Sequence, residues 1–203
     1  MIINKKYGFL FVHIQKNAGS SIKKALSNFE DTSEYKYWHS FIDPEIENLQ
    51  NYFKFCFVRN PWDRLVSWYN MMVNKGIHND FSKYLLTNSK NFSEFLDLTN
   101  IIYETNKFEC DGQHPYPKSI SFNQLDYVSD NEGKILVDFI GKFENLQEDF
   151  NLICEKIKIK NFELEKINQY NHKDYKSYYN DRDIEKVYNL YKRDIEYFDY
   201  KFE

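Results

Sequence analysis

Short apolar runs alternate with amphipathic stretches in the first third of this chain. Residues 9–14 form an apolar run of the length of a buried strand, and a polar stretch ending at Gly19 follows it. Ser20 or Ser21 can cap a helix that continues through Leu26, because serine hydroxyls accept hydrogen bonds from the first N–H groups of a helix. The pattern predicts a strand, a loop and a helix in succession.

The same succession is predicted a second time. Residues 53–58 form another apolar strand, which ends abruptly at Arg59, Asn60 and Pro61. Proline is common in the first turn of a helix, and apolar residues at helical spacing predict a helix over residues 62–74.

Weaker patterns predict the other elements. A loop is predicted over residues 28–37, and a short helix opens at Asp43 and Pro44. Further predictions are helices at 81–86, 92–98, 145–157 and 183–198, and strands at 122–128 and 135–140. Strands that alternate with helices are typical of α/β proteins. We therefore predict a single α/β domain over residues 1–203, with a central, mainly parallel sheet flanked by helices.

Composition and charge narrow the class of protein. The chain has 203 residues, of which 42% are hydrophobic and 19% aromatic, enough for one domain with a sizeable core. The net charge of −4 argues against a nucleic-acid partner and makes any anion site local. No signal peptide and no membrane-spanning run is apparent, so a cytoplasmic location is expected. Cys56, Cys110 and Cys154 form no metal-ligand spacing and are expected to be reduced structural thiols.

The first strand, loop and helix have the parts of an anion site. Free N–H groups and the helix dipole favour a negative charge at a helix start. Lys16 adds a positive charge there, and Ser20 and Ser21 add hydroxyl donors. The loop lacks the Gly-Lys-Ser/Thr ending of nucleoside-triphosphate loops, and the chain lacks GxGxxG. Many such units bind nothing, so this stretch alone leaves open both a phosphate or sulfate site and a purely structural loop.

Arg59 determines the chemistry that is expected between the strand at 53–58 and the helix that follows it. A nucleoside triphosphatase would place an acidic residue at the end of this strand to hold magnesium. Arginine instead offers a rigid fork for phosphate or sulfate and needs no metal. Ser67 follows two turns into the next helix. Taken singly, an ion pair for Arg59 and a packing role for Ser67 are the commoner interpretations.

Taken together, these stretches resemble the motifs of sulfotransferases. Residues 12–22, VHIQKNAGSSI, are similar to the 5′-phosphosulfate loop HIPKTAGTS, and residues 55–69, FCFVRNPWDRLVSWY, are similar to the 3′-phosphate motif FxxVRNPxDRLVSxY. Residues 138–146 and 194–200 resemble the family's DFIGRFENL block and its terminal DxxxFGY. The resemblance is to the membrane-type carbohydrate sulfotransferases and their soluble bacterial relatives, and it is weakest over residues 75–120. It implies a P-loop-like three-layer α/β fold.

The resemblance implies transfer of a sulfuryl group from 3′-phosphoadenosine 5′-phosphosulfate (PAPS) to a hydroxyl or amine, most often a sugar hydroxyl of a glycan or small glycoside. By the same resemblance Lys16 would hold the 5′-phosphosulfate and stabilise the leaving oxygen, while Arg59 and Ser67 would bind the 3′-phosphate. The residues that would cradle the 5′-phosphate are Asn17, Ala18, Gly19, Ser20 and Ser21. Gln15 stands where the family usually has proline. No metal is implied.

A general base must also accept the proton of the acceptor hydroxyl. His39 is the candidate, because family members often carry a catalytic histidine between the two cofactor motifs, although the local segment is an imperfect match. A histidine that is merely hydrogen-bonded is the other interpretation of His39. His114 is a competing base, Glu104 and Glu109 are weaker ones, and His13 is expected to be structural.

Two later regions and two other functions complete the prediction. Lys173, with His172, lies in a polar segment that could close over the nucleotide, and Gln124 resembles a family glutamine near the acceptor. A P-loop nucleotide kinase or other phosphotransferase would require magnesium and an acidic strand end. A non-catalytic nucleotide-binding module would bind the donor without turnover. The sequence predicts neither the acceptor nor the oligomeric state.

Overall fold

The computed structural model describes residues 1–34, 39–46, 48–77, 80–105, 118–160, 162–167 and 173–203. The chain divides into two compact units. Unit 1 comprises Met1–Arg59 and Gln124–Asn168, and unit 2 comprises Asn60–Asn123 and Gln169–Glu203. That the whole chain forms one domain stays a prediction from the sequence.

Unit 1 is built on a five-stranded mixed sheet. Its strands are β1 (Ile2–Asn4), β2 (Phe9–Val12), β3 (Thr32–Glu34), β4 (Phe53–Val58) and β5 (Phe139–Lys142), in the order β3-β1-β2-β4-β5. β2, β4 and β5 are parallel neighbours, whereas β1 runs antiparallel to both β2 and β3. The carboxyl ends of the three parallel strands therefore lie along one edge of the sheet, which is where ligands bind in α/β proteins.

The described helices are α1 (Gly19–Leu26), α2 (Pro61–Lys75), α3 (Asp80–Asn88), α4 (Phe92–Thr105), α5 (Leu146–Lys156), α6 (Asp181–Leu190) and α7 (Lys192–Phe198). α1 and α5 belong to unit 1 and contribute to one hydrophobic core with the sheet. That core consists largely of aromatic and branched side chains: Phe9, Phe11, Phe55, Phe57, Phe150, Ile22, Leu26 and Ile153. All four residues of β2 are buried, on both faces of the strand, so the loop after β2 starts from a fixed position.

Unit 2 is helical and contains buried polar anchors. The guanidinium of Arg64, which is 1% exposed, donates hydrogen bonds to the carbonyl oxygens of Ser119 and Phe122. Asn180 caps α6 by accepting a hydrogen bond from the backbone N–H of Asp183, and Ser93 donates to the Asp183 carboxylate. These contacts satisfy polar groups that would be costly to bury alone.

The predicted α/β class, with a central sheet flanked by helices, is confirmed. The strand at 53–58 is confirmed residue for residue, and the helix predicted at 62–74 is α2. The antiparallel strands β1 and β3 were not predicted, because each is only three residues long. Within the part of the chain that the structure describes, no helix is long and apolar enough to cross a membrane.

Several local predictions were wrong. The strands predicted at 9–14 and 135–140 are Phe9–Val12 and Phe139–Lys142, and the loop predicted over 28–37 contains β3. Residues 122–128 form no ladder strand, since Leu125–Tyr127 is a 3-10 turn in which the Val128 N–H bonds the Leu125 carbonyl. The helix predicted at 183–198 is broken at Tyr191 into α6 and α7. The predicted helix at Asp43 is a turn followed by the 3-10 segment Leu49–Asn51.

Candidate functional site

The loop after β2 is tightly wound around Lys16. Lys16 and Ala18 both have positive φ angles, 71° and 61°, a conformation that costs about 1–2 kcal/mol for a residue with a Cβ. Ala18 is the residue that precedes α1, and its carbonyl accepts hydrogen bonds from the N–H groups of Ser21 and Ile22. The predicted serine cap of α1 was therefore wrong: no side chain caps this helix, and Ser20 and Ser21 lie within its first turn.

Gly19 is required by a neighbour rather than by its own backbone angles. A Cβ at Gly19 would overlap the imidazole ring of His13. His13 is buried, stacks on Phe11 with 5.8 Å between ring centroids, and lies 4.2 Å from the ring of His39. Burial, and then the charge that His39 can carry, hold the pKa of His13 well below its usual value. His13 is thus a neutral, buried ring that packs against Gly19 and so supports the loop.

This packing predicts a large effect of one methyl group. We expect Gly19→Ala to lower the free energy of unfolding by about 1–3 kcal/mol, because the Cβ forces His13 or the loop to move. Urea unfolding of Gly19→Ala, His13→Ala and the double variant measures it. The double variant should lose less than the sum of the single losses, since His13→Ala removes the ring that the methyl group meets. Additive losses would contradict this contact.

A buried amide network joins the ends of β2 and β4. Asn17 Nδ2 donates to the carbonyl oxygen of Phe57 at 2.7 Å and to Gln124 Oε1 at 2.7 Å. Gln124 Oε1 also accepts from the backbone N–H of Arg59 at 2.9 Å, and Gln124 Nε2 donates to the Arg59 carbonyl at 2.9 Å. The loop that carries Lys16 and Arg59, the residue that follows β4, are therefore held together through side-chain amides. Because the Gln124 amide is used in this way, the structure does not favour direct contact of Gln124 with an acceptor.

The Arg59 side chain extends back to the same loop. Its Nη1 donates to the carbonyl oxygen of Lys16 at 3.1 Å, and its guanidinium carbon lies 3.9 Å from the centroid of the Phe143 ring. Phe143 follows directly after β5. Stacking on a ring fixes the plane of a guanidinium and leaves its edge able to bind an anion. The structure therefore brings Lys16 and Arg59 together, as their positions after parallel strands predict.

His39 lies beside the same strand end. Its Nδ1 is 3.4 Å from the carbonyl oxygen of His13, and its side chain is half-buried. A carbonyl only accepts, so this contact favours the tautomer with the proton on Nδ1 and a lone pair on Nε2. The competing bases cannot be compared with it, because His114 and Glu109 lie outside the described residues and nothing is described of the Glu104 side chain.

The other predicted binding residues are placed as follows. Ser21 is buried, and its Oγ accepts a hydrogen bond from the Ile167 N–H at 3.3 Å. Ser20 is half-buried in the first turn of α1. Ser67 lies on α2 and Lys173 is exposed; both belong to unit 2, and His172 lies outside the described residues. Their predicted roles in nucleotide binding stay predictions.

Comparison with known proteins identifies the family. The sequence profile of the sulfotransferase family matches residues 1–201. The chain belongs to the sulfotransferase family. The resemblance shown by the motifs around Lys16 and Arg59 is thereby confirmed, and sulfuryl transfer is the general chemistry of such an enzyme.

The chain is also similar to a protein of an archaeon. An uncharacterized protein of Archaeoglobus fulgidus is 32% identical over 109 residues, which cover 54% of this chain and 70% of that one. No solved structure matches the chain.

Proposed function

We propose that this sulfotransferase transfers the sulfuryl group of PAPS to a hydroxyl of a carbohydrate acceptor. The observation that carries the proposal is the pairing of Lys16 and Arg59 at the carboxyl ends of neighbouring parallel strands, joined by the hydrogen bond from Arg59 Nη1 to the Lys16 carbonyl. PAPS carries two separate anionic groups, the 5′-phosphosulfate and the 3′-phosphate. Two cations on adjacent loops suit such a ligand better than they suit a single phosphate.

Different residues would bind the two anionic groups of the donor. Lys16 and the start of α1 would bind the 5′-phosphosulfate, because a wound loop before a helix presents N–H groups to an anion. Arg59 would bind the 3′-phosphate with its guanidinium fork. Ser67 is proposed as a further contact because it lies in the second motif, and Lys173 because it lies in a polar segment that could close over the nucleotide. The bound donor would supply an activated sulfuryl group.

The chemistry asks the protein mainly for positioning and charge stabilisation. A bond forms between the acceptor oxygen and sulfur, the bond from sulfur to the bridging phosphate oxygen breaks, and the acceptor loses a proton. Nε2 of His39 would accept that proton, and the Lys16 ammonium would stabilise negative charge on the departing oxygen. A carbohydrate acceptor is proposed because the motifs resemble those of carbohydrate sulfotransferases.

Binding of 3′-phosphoadenosine 5′-phosphate (PAP), the product of the donor, tests the donor site. We expect PAP to bind in the presence of a chelator, and Arg59→Ala to weaken its affinity by about 10- to 100-fold, the effect of losing hydrogen bonds to a charged group. Calorimetric titration measures both affinities. Arg182→Ala is the control, because Arg182 is exposed on α6 and pairs with Asp97, so its removal changes the net charge equally.

The outcomes separate the alternative functions. Binding that requires magnesium would favour a phosphotransferase, and a folded protein that does not bind PAP would contradict the proposal. Incubation with sulfur-labelled PAPS and a panel of glycans, glycosides, phenols and amines then tests turnover. Binding without any labelled product would favour a non-catalytic nucleotide-binding module, and a labelled phenol alone would overturn the carbohydrate acceptor.

A further inference from the structure

Gln124 is a fully buried polar residue that, within the described part of the chain, touches both candidate binding loops. Its exposed fraction is 0%, although an amide side chain is costly to bury unless it is hydrogen-bonded. The three hydrogen bonds given above all join it to the loop after β2 or to Arg59, the residue that follows β4. Gln124 lies outside the four motif blocks that resemble sulfotransferases, and the glutamine that it resembles in the family was expected near the acceptor and not beneath the donor site.

The bonds from Gln124 to Arg59 fix the backbone from which the guanidinium extends. Oε1 and Nε2 of Gln124 engage the N–H and C=O of the same residue, as a neighbouring strand would. Such a pairing determines where the Arg59 Cα lies and how its side chain leaves the main chain. β4 itself ends at Val58, so the ladder with β5 does not reach Arg59.

The hydrogen bond from Asn17 to Gln124 connects the loop after β2 to Gln124 Oε1, the atom that also accepts from the Arg59 N–H. Gln124 Oε1 accepts from Asn17 Nδ2 as well as from the Arg59 N–H. Asn17 follows Lys16 in the chain, and its Nδ2 also donates to the carbonyl of Phe57 in β4. A displacement of Gln124 would therefore release Lys16 and Arg59 from a common support.

We propose that Gln124 is a positioning residue that sets the spacing between the 5′-phosphosulfate site at Lys16 and the 3′-phosphate site at Arg59. This inference rests on the proposed function. It assigns to Gln124 no contact with the donor or the acceptor. The role suits a side-chain amide, since a group that both accepts and donates can pair with one residue's N–H and C=O while accepting from Asn17.

The test compares the affinities for PAP and for adenosine 5′-phosphate, which lacks the 3′-phosphate. The ratio of these affinities isolates the part of binding that depends on the distance between the two anion sites. In Gln124→Met, which keeps the length of the side chain and removes its hydrogen bonds, we expect PAP affinity to fall by about 10- to 100-fold and the ratio to fall with it. Gln124→Asn keeps the chemical groups on a shorter side chain and should give the same result if the methionine variant does not fold.

Asn4→Leu is the matched control. Asn4 is also 0% exposed and has three hydrogen bonds, two donated to the Glu30 carbonyl and Thr32 Oγ1 and one accepted from the Tyr7 N–H. It pairs with Phe9 at the amino end of β2, the opposite end from the candidate site. The Asn4→Leu variant should be less stable than the wild type, but its ratio of affinities for PAP and adenosine 5′-phosphate should be unchanged.

The measurements distinguish failure of the positioning role of Gln124 from failure of the proposed donor site. Hydrogen exchange should rise at residues 15–19 and 57–60 in Gln124→Met but not in Asn4→Leu. A folded Gln124→Met with unchanged affinity ratio and unchanged exchange would overturn the positioning role while leaving the proposed function intact. Failure of the wild-type protein to prefer PAP over adenosine 5′-phosphate would instead overturn the proposed donor site.

Discussion

Lys16→Met is expected to slow sulfuryl transfer by about 10²- to 10³-fold, the usual cost of removing one group that stabilises developing charge. As the sulfur–oxygen bond breaks, negative charge grows on the bridging oxygen that stays with the 5′-phosphate. Lys16 is the cation of the loop after β2, and its backbone is fixed by a left-handed conformation and by the bond from Arg59. Methionine keeps the length and most of the apolar volume of the side chain while removing its charge.

The loss should appear mainly in kcat. Charge on the bridging oxygen is greater in the transition state than in bound PAPS, so the rate constant should fall more than the affinity for PAP does. Single-turnover kinetics with labelled PAPS, combined with PAP titration, separate the two effects.

Lys24→Met is the matched control for Lys16→Met. Lys24 is an exposed residue of α1 that pairs with Glu165, so its substitution removes the same charge from the helix that follows the loop. It should leave kcat nearly unchanged. Equal rate losses for the two variants would show that Lys16 acts only through the general field of the protein, which would contradict its proposed role.

The end of β4 was predictable because it depends on local sequence. The apolar run at 53–58 stops at a charged residue and a proline, and the structure ends β4 at Val58. Parallel neighbours then bring the residues that follow β2 and β4 to one edge, which is why Lys16 and Arg59 could be expected near each other. Adjacency of this kind follows from topology and needs no knowledge of side-chain contacts.

The support beneath the site was not predictable, because it depends on contacts between distant residues. Gln124 lies 107 residues from Asn17 and 65 from Arg59 in the chain. Its segment, residues 122–128, was predicted to be a strand, whereas the structure has a buried 3-10 turn at Leu125–Tyr127. Likewise, Gly19 looks like an ordinary flexible loop glycine until the His13 ring is seen to occupy the place of a Cβ.

His39→Ala is expected to have the largest effect, a fall in kcat of about 10²- to 10⁴-fold, the usual contribution of a positioned general base. The contact of Nδ1 with the His13 carbonyl favours the tautomer whose Nε2 can accept a proton. PAP affinity should change little, because His39 is assigned to the acceptor proton. His39→Gln is the stricter test, since glutamine keeps a polar side chain that can hydrogen-bond but cannot act as a base near neutral pH.

The pH dependence of His39→Gln can be interpreted only while the protein stays folded. The pKa of buried His13 is held well below its usual value of 6.5. Below pH 6.5, His13 therefore binds a proton in the unfolded chain but stays neutral in the folded protein. Stability contributed by His13 is therefore lost progressively as pH falls below 6.5, in the wild type and in the variant alike. Rates should be recorded together with a folding signal, and only the folded range compared.

Within that range the two roles of a histidine can be told apart. If His39 is the base, wild-type kcat falls as acid protonates it, His39→Gln loses that dependence, and added imidazole restores part of the rate to His39→Ala because it supplies a replacement base. A structural His39 would give neither the flattened profile nor the rescue. If His114→Ala instead produced the large loss in kcat and His39→Ala did not, the base would be His114, and the pair of rings at His13 and His39 would serve only to hold the loop that carries Lys16.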